Sequence, residues 1–161
     1  MKRFLYLLLA LPLLGIFAAS CSDDDKDLPN VTLSMEYSGA TYADGVFTVE
    51  QGDTLSIDAL KVIPAEGTKE ATLGPVTYYL DNLLLGTTPV EPFAIAIPTD
   101  NLPVGKYVLQ ASANIFQVGK SVGFGVFAYK INVIENQNTG DDDSGNNSGV
   151  VTPETKITEH E

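Results

Sequence analysis

The apolar residues between positions 30 and 135 recur with a period of two, and this feature restricts the fold more than any other. Side chains alternate between the two faces of a strand, whereas the apolar stripe of a surface helix repeats every 3.6 residues. The alternation is clear over Val31–Tyr37, and it runs longer over Tyr107–Ile115 and Phe127–Val133. No part of this region has helical periodicity. The sequence therefore predicts an all-β domain.

Turn signals divide this region into short strands. Ala43-Asp44-Gly45, Gln51-Gly52-Asp53 and Asp81-Asn82 each separate two apolar runs, and residues 64–75 form a polar loop. Strands at this spacing, without helices between them, are typical of a β-sandwich. We predict a single Ig-like antiparallel β-sandwich of about seven strands over residues 29–135.

The start of the chain predicts export and a lipid anchor. Met1-Lys2-Arg3 is basic, residues 4–17 are almost entirely apolar, and small residues precede Cys21, the only cysteine. This is the pattern of a signal peptide, here residues 1–20, cleaved directly before a cysteine that is then acylated, for example with palmitate. An ordinary signal peptide followed by an idle thiol is the alternative. A retained membrane helix is disfavoured, because a span needs about 20 apolar residues.

Residues 21–28 form an acidic tether. The string Cys21-Ser22-Asp23-Asp24-Asp25 resembles the mature start of surface lipoproteins of Bacteroidota-type Gram-negative bacteria. The resemblance implies that Asp23, Asp24 and Asp25 form an export signal. It also implies that the protein is anchored in the outer membrane through Cys21 and faces the cell exterior.

Charge and composition describe the other end of the chain. Residues 136–161 consist mostly of Asn, Asp, Ser, Gly and Thr, so we expect a disordered acidic tail. The formal charge of −12 becomes −14 when Lys2 and Arg3 leave with the signal peptide. A strongly acidic chain repels phosphate backbones, which argues against a nucleic-acid partner.

A second resemblance concerns the domain. The segment Val76-Thr77-Tyr78-Tyr79-Leu80-Asp81-Asn82-Leu83-Leu84-Leu85-Gly86, followed by Gly105-Lys106-Tyr107, is similar to bacterial Ig-like domains. In that family an aromatic–aspartate hairpin precedes a Gly–Lys–aromatic opening of the penultimate strand. The chain lacks the tryptophan and the cysteine pair of antibody domains. The resemblance implies a spacer, an adhesin stalk or an accessory of glycan enzymes.

Catalysis and metal binding find little support in the sequence. His160, the only histidine, lies in the predicted tail, so a Ser/His/Asp or Cys/His arrangement is not expected. Asp141, Asp143 and Asn147 resemble a calcium loop but lack the downstream bidentate Glu. We predict no catalytic residue, no metal and no cofactor.

Candidate binding residues are few. The connection between the two longest strands is unusually apolar, since it contains Phe116, Val118, Val122 and Phe124. It is either a contact patch or a tip that folds back onto the sandwich. In an Ig-like order this connection lies near the tether. Tyr78 and Tyr79 are adjacent on one strand, so they point to opposite faces, and one of them must belong to the core. Tyr79 is a further candidate for binding; the alternative is that it packs against the short strand beyond Asp81.

Thr54 follows Asp53 and precedes Leu55, a pattern similar to an O-glycosylation acceptor of the same bacterial group. The alternative is that Thr54 merely begins a strand. For the whole protein two functions remain open. The first is a non-catalytic binding or adhesion module, with a glycan as its ligand and a role in glycan uptake or attachment. The second is a structural spacer or assembly subunit that binds another envelope protein.

Overall fold

The computed structural model describes residues 27–136, 147–153 and 155–159. These residues form twelve strands and no helix. The strands are β1 (Val31–Ser38), β2 (Thr41–Ala43), β3 (Val46–Glu50), β4 (Thr54–Pro64), β5 (Ala71–Leu73), β6 (Val76–Leu80), β7 (Leu83–Thr88), β8 (Ile95–Pro98), β9 (Gly105–Gln117), β10 (Gly123–Ile134), β11 (Ser148–Val151) and β12 (Thr155–Glu159). The predicted all-β sandwich is confirmed, with more strands than the seven expected.

The strands form two sheets. The small sheet has the order β11-β1-β4-β8, and the large sheet has the order β2-β3-β10-β9-β6-β7. In the large sheet, β12 pairs with β10 and β5 pairs with β9. The order β1-β4-β8 opposite β10-β9-β6-β7 corresponds to strands A-B-E opposite G-F-C-C′ of an Ig-like sandwich. One pair departs from the antiparallel prediction, because β3 runs parallel to β10.

The core lies between the sheets and follows the period of two. On β9 the inward side chains are fully buried from Leu109 to Ile115, and on β10 from Phe127 to Val133. On the other sheet, Leu33, Met35, Leu55 and Ile57 lie opposite them and are equally buried. Burying a large apolar side chain stabilises a fold by about 1.5–3 kcal/mol, so this layer dominates the stability.

The predicted disordered tail is wrong for two of its segments. Strand β11 pairs with β1, where Val151 lies opposite Met35 and is buried. Strand β12 pairs with β10 along Gly123–Phe127. Both segments pair with a strand that would otherwise have unpaired backbone groups. Backbone hydrogen bonds therefore order these segments, although they contain few apolar residues to bury. Residues 137–146, 154 and 160–161 lie outside the described residues.

The predicted loop over residues 64–75 also contains a short strand. Strand β5 continues the edge of β9 beyond the end of β6, with Thr72 opposite Phe116. Gly74 follows it, and a Cβ at that position would meet the Phe116 ring at 3.2 Å. The glycine therefore allows the ring to lie close against the chain.

Candidate functional site

One end of the sandwich holds the beginning of the described chain. The backbone N–H of Ser121 donates to the carbonyl of Asp27 at 3.1 Å, and the Lys120 ammonium forms an ion pair with the Asp27 carboxylate. A Cβ on Gly123 would clash with the ring of Pro29. The connection between β9 and β10 therefore lies beside residues 27–30, which confirms the position predicted from the Ig-like order. We call this the tether end.

Gln117 ties three segments together at the tether end. Its side chain is buried, and its Oε1 accepts the backbone N–H of Asn30 at 2.8 Å. Its Nε2 donates to the Thr68 hydroxyl at 3.0 Å and to the Lys69 carbonyl at 2.9 Å. A buried amide is tolerated only when its groups are paired, as they are here. The sequence analysis did not single out this residue, because a glutamine at the end of a strand is ordinarily exposed.

The apolar connection does not fold back onto the sandwich. Val118 is 62% exposed and Val122 is 41% exposed, and Phe116 is 44% exposed on the outer face of β9. Phe124 is half-buried on the outer face of β10. We call the exposed residues Phe116, Val118 and Val122 the tip patch.

Tyr79 does not join the tip patch. It lies on β6 opposite Gln110 of β9, six residues along that strand from Phe116. A rise of about 3.4 Å per residue separates the two positions by about 20 Å. The structure therefore places Val118 and Val122 at the turn and Tyr79 and Phe124 on the outer face of the large sheet. Phe116, on that outer face at the end of β9, joins the two surfaces.

The outer face of the large sheet carries a polar stripe along β9. Gln110, Ser112 and Asn114 are half-buried there, with Tyr79 opposite Gln110 and Phe124 opposite Asn114. The Oδ1 atom of Asn114 is buried and has no hydrogen-bond partner among the described residues. The stripe thus has an aromatic residue near each end.

The opposite end of the sandwich, which we call the far end, is closed by polar contacts. The Thr99 hydroxyl is buried, accepts the Gly52 N–H at 3.0 Å and lies 2.7 Å from the Asp53 carbonyl. The Gln51 amide donates to the Leu102 carbonyl at 2.6 Å. These bonds hold the turn before β4 against the loop that follows β8.

Two residues of the Ig-like resemblance have structural roles. The Tyr107 hydroxyl donates to the Pro103 carbonyl at 2.6 Å, which is the geometry of a tyrosine corner near the start of strand F. Asp81 turns the β6–β7 hairpin with a φ of 51°, and its Oδ1 accepts the Val108 N–H at 2.8 Å. Both residues hold β9 in place.

The pKa values of two buried tyrosine side chains are raised. Desolvation by burial raises the pKa of Tyr78 and of Tyr129 above their ordinary value, and the neighbouring Tyr78 raises that of Tyr129 further. The Tyr78 hydroxyl donates to the Phe93 carbonyl at 2.7 Å, whereas the Tyr129 hydroxyl has no hydrogen-bond partner among the described residues. Both phenols are neutral at physiological pH and belong to the core.

Thr54 is exposed at the first position of β4, opposite Pro98 of the edge strand β8. Its side chain is thus accessible, while its carbonyl lies against Gly39, where a Cβ would come within 2.0 Å. The O-glycosylation of Thr54 stays a prediction. Cys21, the predicted export signal Asp23, Asp24 and Asp25, and His160 lie outside the described residues.

Within the described ranges, no three or more His, Cys, Asp or Glu side chains are grouped so that they could hold a metal ion. The same residues include no helix with the length and apolar character needed to span a bilayer. A scan against protein-family models and a search of curated proteins both found no match to this chain.

Proposed function

We propose that the protein is a non-catalytic binding module, held on the outer membrane by acylated Cys21 and displayed on the cell surface. The anchoring part of this proposal rests on the signal pattern before Cys21 and on the acidic residues after it. The position of the tether end agrees with it, because the anchored segment enters the sandwich at one defined end.

For the ligand we propose a glycan on the outer face of the large sheet. The observation that carries this proposal is the polar stripe along β9, where Gln110 and Ser112 are half-buried and Tyr79 and Phe124 lie near its ends. The buried Oδ1 atom of Asn114 is not counted among the groups that would meet a sugar. Aromatic rings offer an apolar face against which a sugar ring packs, and amide and hydroxyl groups pair with its hydroxyls. A sheet face without a concave pocket suits an extended polymer better than a small molecule.

The anchor is tested by two variants expressed in a bacterium of the resembled group. Cys21→Ala should move the protein from the membrane fraction to the soluble fraction. Alanines at Asp23, Asp24 and Asp25 should leave it in the membrane fraction but remove its labelling by a reagent that cannot cross the outer membrane. Unchanged labelling of the aspartate variant would contradict surface export and leave only the anchor.

The glycan is tested by screening the detergent-solubilised protein against polysaccharides. Tyr79→Ala should weaken the binding of any hit at least about tenfold, a loss of about 1.4 kcal/mol. Val104→Ala, a change at an exposed far-end residue, is the control and should bind normally. Loss of binding in both variants, or binding that survives without Tyr79, would contradict the assignment of this face.

One observation favours the assembly subunit instead. Strand β7 ends the strand order β2-β3-β10-β9-β6-β7 of the large sheet. On this strand, Leu83 is 64% exposed and Leu84 is 57% exposed. An edge strand offers unpaired backbone groups to a strand from another protein. If no polysaccharide binds, and an envelope protein is captured by the protein but not by a Leu83→Asp variant, the second function replaces the first.

A further inference from the structure

The turn between β9 and β10 exposes two valines, while its one charged side chain lies against Asp27 at the surface. Val118 is the most exposed residue of the tip patch, and Val122 follows on the other side of the turn. The charged residue between them, Lys120, has a side chain only 24% exposed because it pairs with Asp27. The exposed apolar side chains of this turn are therefore those of Val118 and Val122, which stand beside exposed Gly119 and Ser121.

The tip patch lies close to the membrane anchor along the chain. Asp27, which contacts Ser121 and Lys120, comes six residues after Cys21. An extended chain spans at most about 3.6 Å per residue, so the Asp27 contact at this turn lies within about 22 Å of Cys21. The distance is comparable to half the thickness of a bilayer with its headgroups, which totals about 40–45 Å. The anchor therefore holds this end of the sandwich near the membrane surface.

The charges around the tip patch indicate what kind of surface it meets. Lys69 and Lys120 lie at this end, but so do Glu66 and Glu70, whose loop contacts the turn. Asp27 beside Lys120 and Glu159 opposite Gly123 add two further carboxylates. The described residues of this end thus have no basic excess that would attract an anionic surface. Contact must come from the apolar residues alone, and exposed valine and phenylalanine are suited to the boundary between headgroups and acyl chains.

We propose that the tip patch inserts into the headgroup region of the same membrane that holds acylated Cys21. This inference rests on the proposed anchor and adds a second, non-covalent contact to it. Two contacts at one end fix the orientation of the sandwich, with the far end pointing away from the bilayer. The outer face of the large sheet then stands roughly upright and remains accessible from the side.

The test uses the absence of tryptophan from the chain. Val118→Trp places a single fluorescent reporter in the tip patch, and Val104→Trp places the same reporter at the far end, where the native valine is 49% exposed. Each variant is expressed with its signal peptide, purified from membranes in its processed form and reconstituted into phosphatidylcholine vesicles. Where Cys21 is recovered as a free thiol, it is coupled to a maleimide phospholipid in the vesicles, so insertion is measured in either case.

For the Val118→Trp protein we expect a blue shift of the tryptophan emission on vesicles and quenching by lipids brominated near the headgroup. Neither change should occur for Val104→Trp. Adding Val122→Asp to the Val118→Trp protein should abolish the shift, since a carboxylate resists burial. Equal spectra and equal quenching for the reporters at positions 118 and 104 would overturn the proposal. The mass of the Cys21 peptide reports separately on the anchor, so failure of anchoring and failure of insertion are distinguished.

Discussion

The two ends of the sandwich are closed in different ways. At the far end, Thr99 and Gln51 bind backbone groups of neighbouring turns, and Tyr107 bonds to the carbonyl of Pro103. At the tether end, Gln117 joins three segments through its side chain, while the turn beyond it exposes Val118 and Val122. Polar side chains thus pair with backbone groups at both ends of the sandwich. The exposed valines of the β9–β10 turn are not needed for this pairing, so their presence has another cause.

This difference separates residues that serve the fold from residues that are free to serve function. A buried side chain whose hydrogen bonds join distant segments stabilises the native state, and removing it leaves those groups unpaired. An exposed apolar side chain contributes little, and its presence next to other exposed apolar residues marks a contact surface. Stability measurements at the tether end therefore test the distinction directly.

The largest effect is expected for Gln117→Ala. The change leaves the Asn30 N–H and the Lys69 carbonyl without their partner, and we expect a loss of about 2–4 kcal/mol in the free energy of unfolding. Chemical denaturation measures it. The matched control is Gln110→Ala on the outer face of the same strand, where we expect a change within about 0.5 kcal/mol. Equal losses for both variants would contradict the special role of Gln117.

The strand pattern could be predicted from the sequence because it depends on local alternation. Inward positions such as Leu33, Leu109 and Phe127 follow from a period of two, and each is buried as expected. The position of the β9–β10 turn near the tether also followed, because an Ig-like strand order determines which loops share an end.

The pairing partners could not be predicted, because they depend on contacts between distant segments. The parallel pairing of β3 with β10 leaves no mark on the sequence of either strand. Strand β11 is read from composition as linker, yet Gly149 packs where a Cβ would come within 2.8 Å of the Tyr37 hydroxyl. A single sequence does not distinguish a glycine in a linker from a glycine that packs against an aromatic ring, as Gly149 does against Tyr37.

The candidate site was predicted only in part. Phe116, Val118 and Val122 were recognised because four large apolar residues in one connection are unusual. Their separation from Tyr79 was not, since it requires the register of β6 on β9. Gln117 was overlooked because a glutamine at the end of a strand is ordinarily exposed, and only its inward position makes it a buried link.

The smallest effect is expected for the double change Val118→Ser and Val122→Ser. Both side chains are exposed beyond the paired part of β9 and β10, so little apolar area returns to water. We expect the free energy of unfolding to change by less than about 0.5 kcal/mol, or roughly 2 °C in the melting temperature of the detergent-solubilised protein. The matched control is Val49→Ser, a buried valine of β3, which should lower the melting temperature strongly because it exposes the core to a hydroxyl. If the double variant instead loses as much stability as the control, the two valines pack as core, and the tip patch belongs to the fold like the polar bonds of the far end.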